Sequence, residues 1–398
     1  MSRNVTFAIF AICFALATTI RVQAQEETPE ATDATQTAET AETTDAAEST
    51  EATAGPAAVE SRPFAEVFEQ WKTLLGKLRD VREDFEKAED ESLPEIAERH
   101  KALVAEALTL MPQLRQSAMT TYAEAPNKDR AVTRLLYSMA EDDTNRDNYE
   151  PAIELTRLLA ENDCREAGIH NLAGIAAYCT NDFDQAEIYF NQARENEALE
   201  GQGRDFEANL AQYKKLWEDE SRQRATEAAA DDLPRVKMVT SKGEVLIELF
   251  ENEAPQTVGN FVSLVESGYY DGLIFHRVLN GFMAQGGCPD GTGKGGPGYN
   301  IFCECDRPEA RQHFRGSLSM AHAGRDTGGS QFFLTFVPTS HLNEKHTVFG
   351  RVVEGFEMLA KLNRIDPESF SPQPPPDRII SATVVRKRDH EYAPTKVE

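Results

Sequence analysis

The sequence predicts a multidomain chain in which an all-α, helical-repeat-like region precedes a closed antiparallel β-barrel with two capping helices. Three observations carry that expectation. Apolar residues recur at helical spacing between residues 62 and 230. Within that region, aromatic and alanine positions return at a fixed interval, Tyr149 with Phe183 and Ala152 with Ala186. From residue 235 onward alternation replaces the helical period, giving many short strand-like runs and only two helical ones.

The first 24 residues, "MSRNVTFAIFAICFALATTIRVQA", combine Arg3, an uncharged apolar run and a small-residue end. This is the layout of a signal peptide cleaved after Ala24, which implies export to a bacterial periplasm or cell envelope. The alternative is an uncleaved membrane anchor, and the apolar run falls short of the roughly 20 residues that a spanning helix needs. Residues 25–61 contain no lysine, arginine or aromatic residue and scatter acids through alanine and threonine. Such a segment buries too little apolar surface to offset its ordering entropy, so a disordered acidic linker is expected.

A length of 398 residues accommodates more than one core, and the formal net charge of -26 argues against nucleic acid or anionic membranes as partners. Of six cysteines, Cys13 falls in the expected leader. That leaves Cys164, Cys179, Cys288, Cys303 and Cys305, an odd number that fits no complete disulfide framework. Cys303 and Cys305 flank a single residue, closer than zinc-ligand pairs usually stand, so no metal site is expected and unpaired or singly paired thiols are the default.

In the helical region, "FAEVFEQWKTLLGKLRDVREDF" and "EIAERHKALVAEALTLMPQL" give the helical period most clearly. The stretch "AGIHNLAGIAAYCTNDFDQAEIYFNQARENEAL" resembles a tetratricopeptide repeat, with Gly174, Ala186, Phe190 and Ala193 at that family's small and aromatic positions. His170 and Ala177 stand where tryptophan and tyrosine are usual, and only two units are visible, so a plain helical bundle remains the alternative. The resemblance implies a surface for protein partners. The polar run "ESRQRATEAAADDLP" reads as the boundary between two separately folding parts.

Beyond it, "KMVT" and "VLIELF" flank Ser241-Lys242-Gly243 as a hairpin, and Pro255 opens a helix that Gly268 closes. Strand-like runs follow at "IFHRVL", "FMAQGG", "SLSMAH", "QFFLTF" and "TVFGRVV", then a second helix and a last strand, "IISATVVRKR". Residues 389–398 are left as a C-terminal tail. "GTGKGG" at Gly291–Gly296 matches a dinucleotide glycine pattern, but "PGYN" follows and no helix can start there to receive a phosphate, so no small-molecule cofactor is expected.

The motifs "FHRVLNGFMAQGG", "GTGKGGPGY", "GSLSMAHAG", "TGGSQFFLTF" and "HLNEKHTVFGRVVEG" occur in the order and spacing of cyclophilin-type peptidyl-prolyl cis-trans isomerases. Residues 235–388 resemble that family. The resemblance implies rotation about X-Pro bonds in proline-containing protein clients, without a cofactor. It places Arg277 and Gln285 in catalysis, and Phe282, Met283, Phe333, Leu342 and His346 around the proline ring. Ala321, His322 and Ala323 match the strand on which the peptide lies, with Gln331 at the rim. His341 matches a contact position where many eukaryotic members carry tryptophan.

The chemistry can be reasoned without the family. Amide resonance sets a rotation barrier of roughly 18–20 kcal/mol. A donor aimed at the prolyl nitrogen lowers it, because that lone pair localises only as the amide twists. A guanidinium stays charged at any working pH and presents several donors from a rigid plane. The alternative is a non-catalytic proline-segment binding module or scaffold, which would not require Arg277.

Overall fold

Helical spacing, capping side chains and alternation place the elements of the computed structural model, which describes residues 62–397. The expected signal peptide (1–24) and acidic linker (25–61) lie outside the described residues. Helix α1 (Phe64–Lys87) buries Val67, Trp71, Leu74, Leu78, Val81 and Phe85 at steps of three and four, packing against α2 (Leu93–Glu124). Helices α3 (Arg130–Asn145), α4 (Tyr149–Ala160), α5 (Ile169–Cys179) and α6 (Phe183–Glu195) follow, then the long α7 (Gly201–Ala230). Asp129 caps α3 by accepting from the Ala131 and Val132 amides, and Asp182 caps α6 by accepting from Gln185.

The 34-residue recurrence is visible in the backbone. Asp147 (φ 62°) turns α3 into α4, and Asn181 (φ 64°) turns α5 into α6. An aromatic opens the second helix of each pair, Tyr149 and Phe183. Asn and Asp are the residues that tolerate this left-handed conformation best after glycine. A Cβ on Gly174 would sit 2.4 Å from the Phe190 ring, so α5 and α6 approach as closely as they do only because glycine stands there.

The C-terminal part is one antiparallel sheet of β1 (Arg235–Thr240), β2 (Gly243–Leu249), β3 (Arg277–Leu279), β4 (Met283–Gly286), β5 (Ser317–Met320), β6 (Phe332–Thr335), β7 (Val348–Glu354) and β8 (Ile379–Arg386). Its order is β3-β4-β6-β5-β7-β2-β1-β8. Backbone hydrogen bonds bring the two ends together: Phe275 N–H donates to Asp377 O (2.9 Å) and Ile379 N–H to Leu273 O (2.8 Å). The sheet therefore curls into a barrel closed partly by irregular backbone. Helices α8 (Pro255–Glu266) and α9 (Phe356–Lys361) accompany it.

Of the polar run read as a boundary, residues 220–230 are the last turns of α7. Two of its acids, Glu220 and Glu227, are buried against the barrel's arginines rather than solvated. Arg311, its side chain 2% exposed, is bonded to Glu220 (2.9 Å) and to Glu227. Arg351 bonds Glu227 (2.9 Å) and Glu248 (2.6 Å), and Arg235 also bonds Glu248 (2.8 Å). Burial alone would raise the Glu220 carboxyl, but Arg311 and Arg224 together hold it below its ordinary value. Beside this cluster Phe314 meets Trp217 (5.3 Å) and Tyr213 (5.5 Å) edge-on, and the Tyr213 hydroxyl donates to His313 O (2.9 Å). One apolar cluster runs from Tyr149 through Tyr213 into the barrel, so the two parts share a core.

Removing one partner from a buried ion cluster leaves the others uncompensated, at a cost of about 3–5 kcal/mol. Arg311→Ala is expected to lower the denaturant-unfolding free energy of the whole chain by that amount. A change below about 1 kcal/mol would show the cluster to be solvated like an exposed pair.

Candidate functional site

A four-strand rung organises the site. Arg277 on β3 pairs with Gln285 on β4, Gln285 with Phe333 on β6, and Phe333 with Ser319 on β5. Paired positions point to one face, so sequence alternation places Arg277, Met283, Gln285 and Phe333 together while Ala284, Phe332 and Leu334 go to the core. Between β3 and β4 the chain reverses through Asn280 and Gly281, the latter at φ 64°, where a side chain would be strained.

Two glutamines then tie the hairpin to the glycine loop. Gln285 Nε2 donates to Gln331 Oε1 (3.0 Å), and Gln331 Nε2 donates to the carbonyls of Gly293 and Gly295 (both 2.9 Å). On the other side His346 Nδ1–H donates to Met320 O (3.0 Å), and its ring meets Phe333 edge-on (5.5 Å) and stacks on His322 (4.2 Å). His322 is held by Lys345 O (2.8 Å). Burial pushes the His346 imidazole below its ordinary range, so it is neutral near pH 7.

These residues border one cleft of about 1120 Å³. Arg277, Gln285, Phe282, Met283, Ala321, His322, Ala323, Gln331, Phe333, Leu342 and His346 all line it. His341 does not: it stands exposed on the short 3₁₀ turn 340–342, its ring 5.5 Å from that of Phe282. Among the described residues no carboxylate lies within ion-pair distance of Arg277, whose guanidinium carbon sits 5.8 Å from the Phe282 ring centre. The cleft is lined by the cations Arg277 and Lys294 and by no acid. No group of three His, Cys, Asp or Glu side chains in metal-binding arrangement occurs among the described residues, and the five described cysteines are unpaired.

Sequence reasoning missed three contributors. The loop Gly293–Asn300 forms a wall of the cleft. In the sequence its glycines and proline count as part of the motif "GTGKGGPGY" and as a failed phosphate loop, without a place in the site. The segment expected to be a tail is seated: Tyr392 is buried, Val397 N–H donates to Asn300 O (2.9 Å), and Val397 lines the cleft. His313 backs the pocket, its ring parallel to Phe333 at 5.9 Å, with Nδ1 at Asn343 Oδ1 (2.9 Å) and Nε2 at Ser319 Oγ (3.0 Å). No local pattern marks it.

A curled antiparallel sheet whose cleft sets an arginine without a carboxylate partner beside Phe282, Met283, Phe333 and Leu342 defines a barrel equipped to polarise an amide. The family model described as cyclophilin type peptidyl-prolyl cis-trans isomerase matches residues 235–384. A peptidyl-prolyl cis-trans isomerase of Helicobacter pylori is 57% identical over 129 residues, which is 32% of this chain and 78% of that protein. Peptidyl-prolyl cis-trans isomerase B of Bacillus subtilis is 54% identical over 123 residues, 31% of this chain and 85% of that protein. For a peptidyl-prolyl cis-trans isomerase of Synechococcus elongatus the values are 59% over 113 residues, 28% and 75%. This chain belongs to the cyclophilin-type peptidyl-prolyl cis-trans isomerase family.

Burial depresses His313 to about 3 from an ordinary 6.5. Between those values the unfolded chain binds a proton that the native chain refuses, so this residue's share of stability is lost as pH falls below about 6.5. The stability deficit of His313→Gln against the parent should therefore shrink on acidification from pH 7 to 5, by up to about 1.4 kcal/mol per pH unit below 6.5. Urea titrations at both pH values check this, and a constant deficit would mean that His313 titrates alike in the folded and unfolded chain.

Proposed function

We propose that this chain is an exported isomerase that speeds rotation about X-Pro bonds in folding envelope proteins. The observation that carries the catalytic reading is Arg277, placed in register with Gln285 and Phe333 on a cleft that Phe282, Met283 and Leu342 also line, with no carboxylate partner among the described residues. A guanidinium committed to an ion pair would have its donors occupied. This one can aim them at a substrate.

In the proposed mechanism the proline ring enters the pocket of Phe282, Met283, Phe333, Leu342 and His346. The flanking backbone lies along Ala321–Ala323, just beyond β5, while the second Nε2–H of Gln285 holds a peptide carbonyl and Gln331, its own donors committed to the glycine loop, stays at the rim. As the amide twists, the prolyl nitrogen gains a localised lone pair and Arg277 donates to it. The interaction is almost absent from the planar ground state, so it favours the transition state selectively. No nucleophile, metal or cofactor is required.

The helical region offers protein contacts in addition. Leu108 and Ile188, 58% and 48% exposed on its outer faces, are the apolar points that a client or partner would meet. Export rests on Arg3, the apolar run after it and the small-residue end at Ala24. Mass spectrometry of the mature protein is expected to find an N-terminus at or near Gln25, and a chain beginning at Met1 in a membrane fraction would indicate an anchor.

Arg277→Ala should lower kcat/KM in a protease-coupled prolyl peptide assay by on the order of 10²–10³-fold. The fall should appear in kcat, with an unchanged melting temperature. Phe333→Ala, which removes packing beside His313 as well as the ring pocket, should weaken binding and also destabilise the fold by about 3 kcal/mol. Near-parental activity of Arg277→Ala would favour a barrel that grips proline segments without catalysis.

A further inference from the structure

We propose that Asp147, in the helical region, is a positioning residue of the isomerase site. Its carboxylate fixes the turn that carries Arg277 on one arm and Phe282–Gln285 on the other. The inference rests on the isomerase reading above.

Asp147 is 2% exposed, and both its oxygens are committed. Oδ1 accepts from the Gly281 amide (3.0 Å) and from the Tyr149 hydroxyl (3.0 Å), while Oδ2 faces the same amide (3.2 Å) and accepts from Arg364 Nη2 (2.8 Å). Burial pushes this carboxyl up, and Arg364 and the Gly281 N–H oppose that push. The charge is not explained by the local turn. At the equivalent corner of the next helix pair Asn181 supplies the same left-handed conformation without a charge. A buried carboxylate is costly unless its partners repay the lost hydration, and here one partner is the catalytic hairpin.

The hairpin's dependence on these contacts is visible atom by atom. Gly281 lies at the tip of the turn, outside the β3–β4 ladder, so its amide needs a partner from elsewhere. Gln202 of α7 approaches the carbonyl of the same residue (3.4 Å). Arg364 extends the grip to both neighbours. Its Nε donates to Asn280 Oδ1 (3.1 Å), and its guanidinium lies over the Phe336 ring (4.6 Å). The Phe336 amide in turn donates to Phe282 O (2.9 Å). Asn280, Gly281 and Phe282 are each tied down: Phe282 by barrel backbone, Asn280 by Arg364, and Gly281 by Asp147 and α7. Arg277 and Gln285 stand four residues either side of Gly281 and face each other across the ladder. A shift of the tip therefore moves donor and pocket relative to each other, and misplacement of about 1 Å can cost up to 10²-fold in rate.

The test uses the full chain with a prolyl tetrapeptide. Asp147→Ala should lower kcat about tenfold with KM changed less than threefold, and Asp147→Asn, which keeps an acceptor for the Gly281 amide, should recover most of the loss. Glu227→Gln serves as control, since it weakens the same interface at the Arg311 cluster without touching the hairpin. It should melt lower yet keep parental kcat below its transition. If Asp147 acts through the placement of Arg277, adding Asp147→Ala to Arg277→Ala should cost less than a further twofold. Parental kcat in Asp147→Ala, an equal loss in Glu227→Gln, or a full tenfold multiplication in the double variant would each overturn the proposal. A parent chain inactive on every prolyl peptide would overturn the isomerase reading and this inference with it. An active parent with an unimpaired Asp147→Ala would overturn this inference alone.

Discussion

Arg311 sets the relation between the two halves of the molecule. A guanidinium almost wholly removed from water is tolerable only where carboxylates surround it, and those carboxylates, Glu220 and Glu227, stand on α7. The last turns of α7 are thereby fixed against the strip leading into β5. Along that strip contacts with the helices recur: Arg311 to α7, the His313 carbonyl to Tyr213, Phe314 to Trp217, and Arg315 to Glu150 (2.8 Å). His313 belongs to both worlds, its backbone bonded to a helix while its ring backs Phe333 in the cleft. Interface and pocket are thus built on the same few residues.

This arrangement suits a reaction that needs placement more than chemistry. Twisting an amide forms no covalent intermediate, so the protein's contribution is a dry pocket for the ring and a donor held where the nitrogen becomes basic. Both depend on rigid neighbours. The rung Arg277–Gln285–Phe333–Ser319 supplies rigidity within the sheet, and the glutamine bridge to the Gly293–Gly295 carbonyls supplies it at the rim. At the open end of the β3–β4 hairpin the ladder leaves the Gly281 amide without a strand partner, and there the helical region supplies one.

What the sequence revealed and what it concealed follow from the range of the interactions. Strand alternation, the Pro255 helix start and the ordered motifs are local, and they located the barrel and nearly all of the cleft. The small residues of α5 and α6 were legible for the same reason, since Gly174 against Phe190 is a short-range requirement. Concealed were contacts between distant positions: Asp147 meets Gly281 and Arg364 across 134 and 217 residues, and no periodicity announces such a pairing. The polar face of α7 misled for a physical reason. Buried acids paired with arginines have the same composition as a solvated linker, so "ESRQRATEAAADDLP" looked like a break when it is a dock. Residues 389–397 looked like a tail because their partners, among them Asn300 and Glu251, lie elsewhere in the chain.

The central claim is that helices and barrel form one cooperative body that holds the catalytic turn. Native-state hydrogen exchange of the full chain measures this most directly, residue by residue. The Gly281 amide, the β4 and β6 amides and the amides in the C-terminal half of α7 should open with a common free energy close to that of global unfolding. Exchange of Gly281 at the rate of an exposed turn, or separate opening energies for α7 and the barrel strands, would contradict the account.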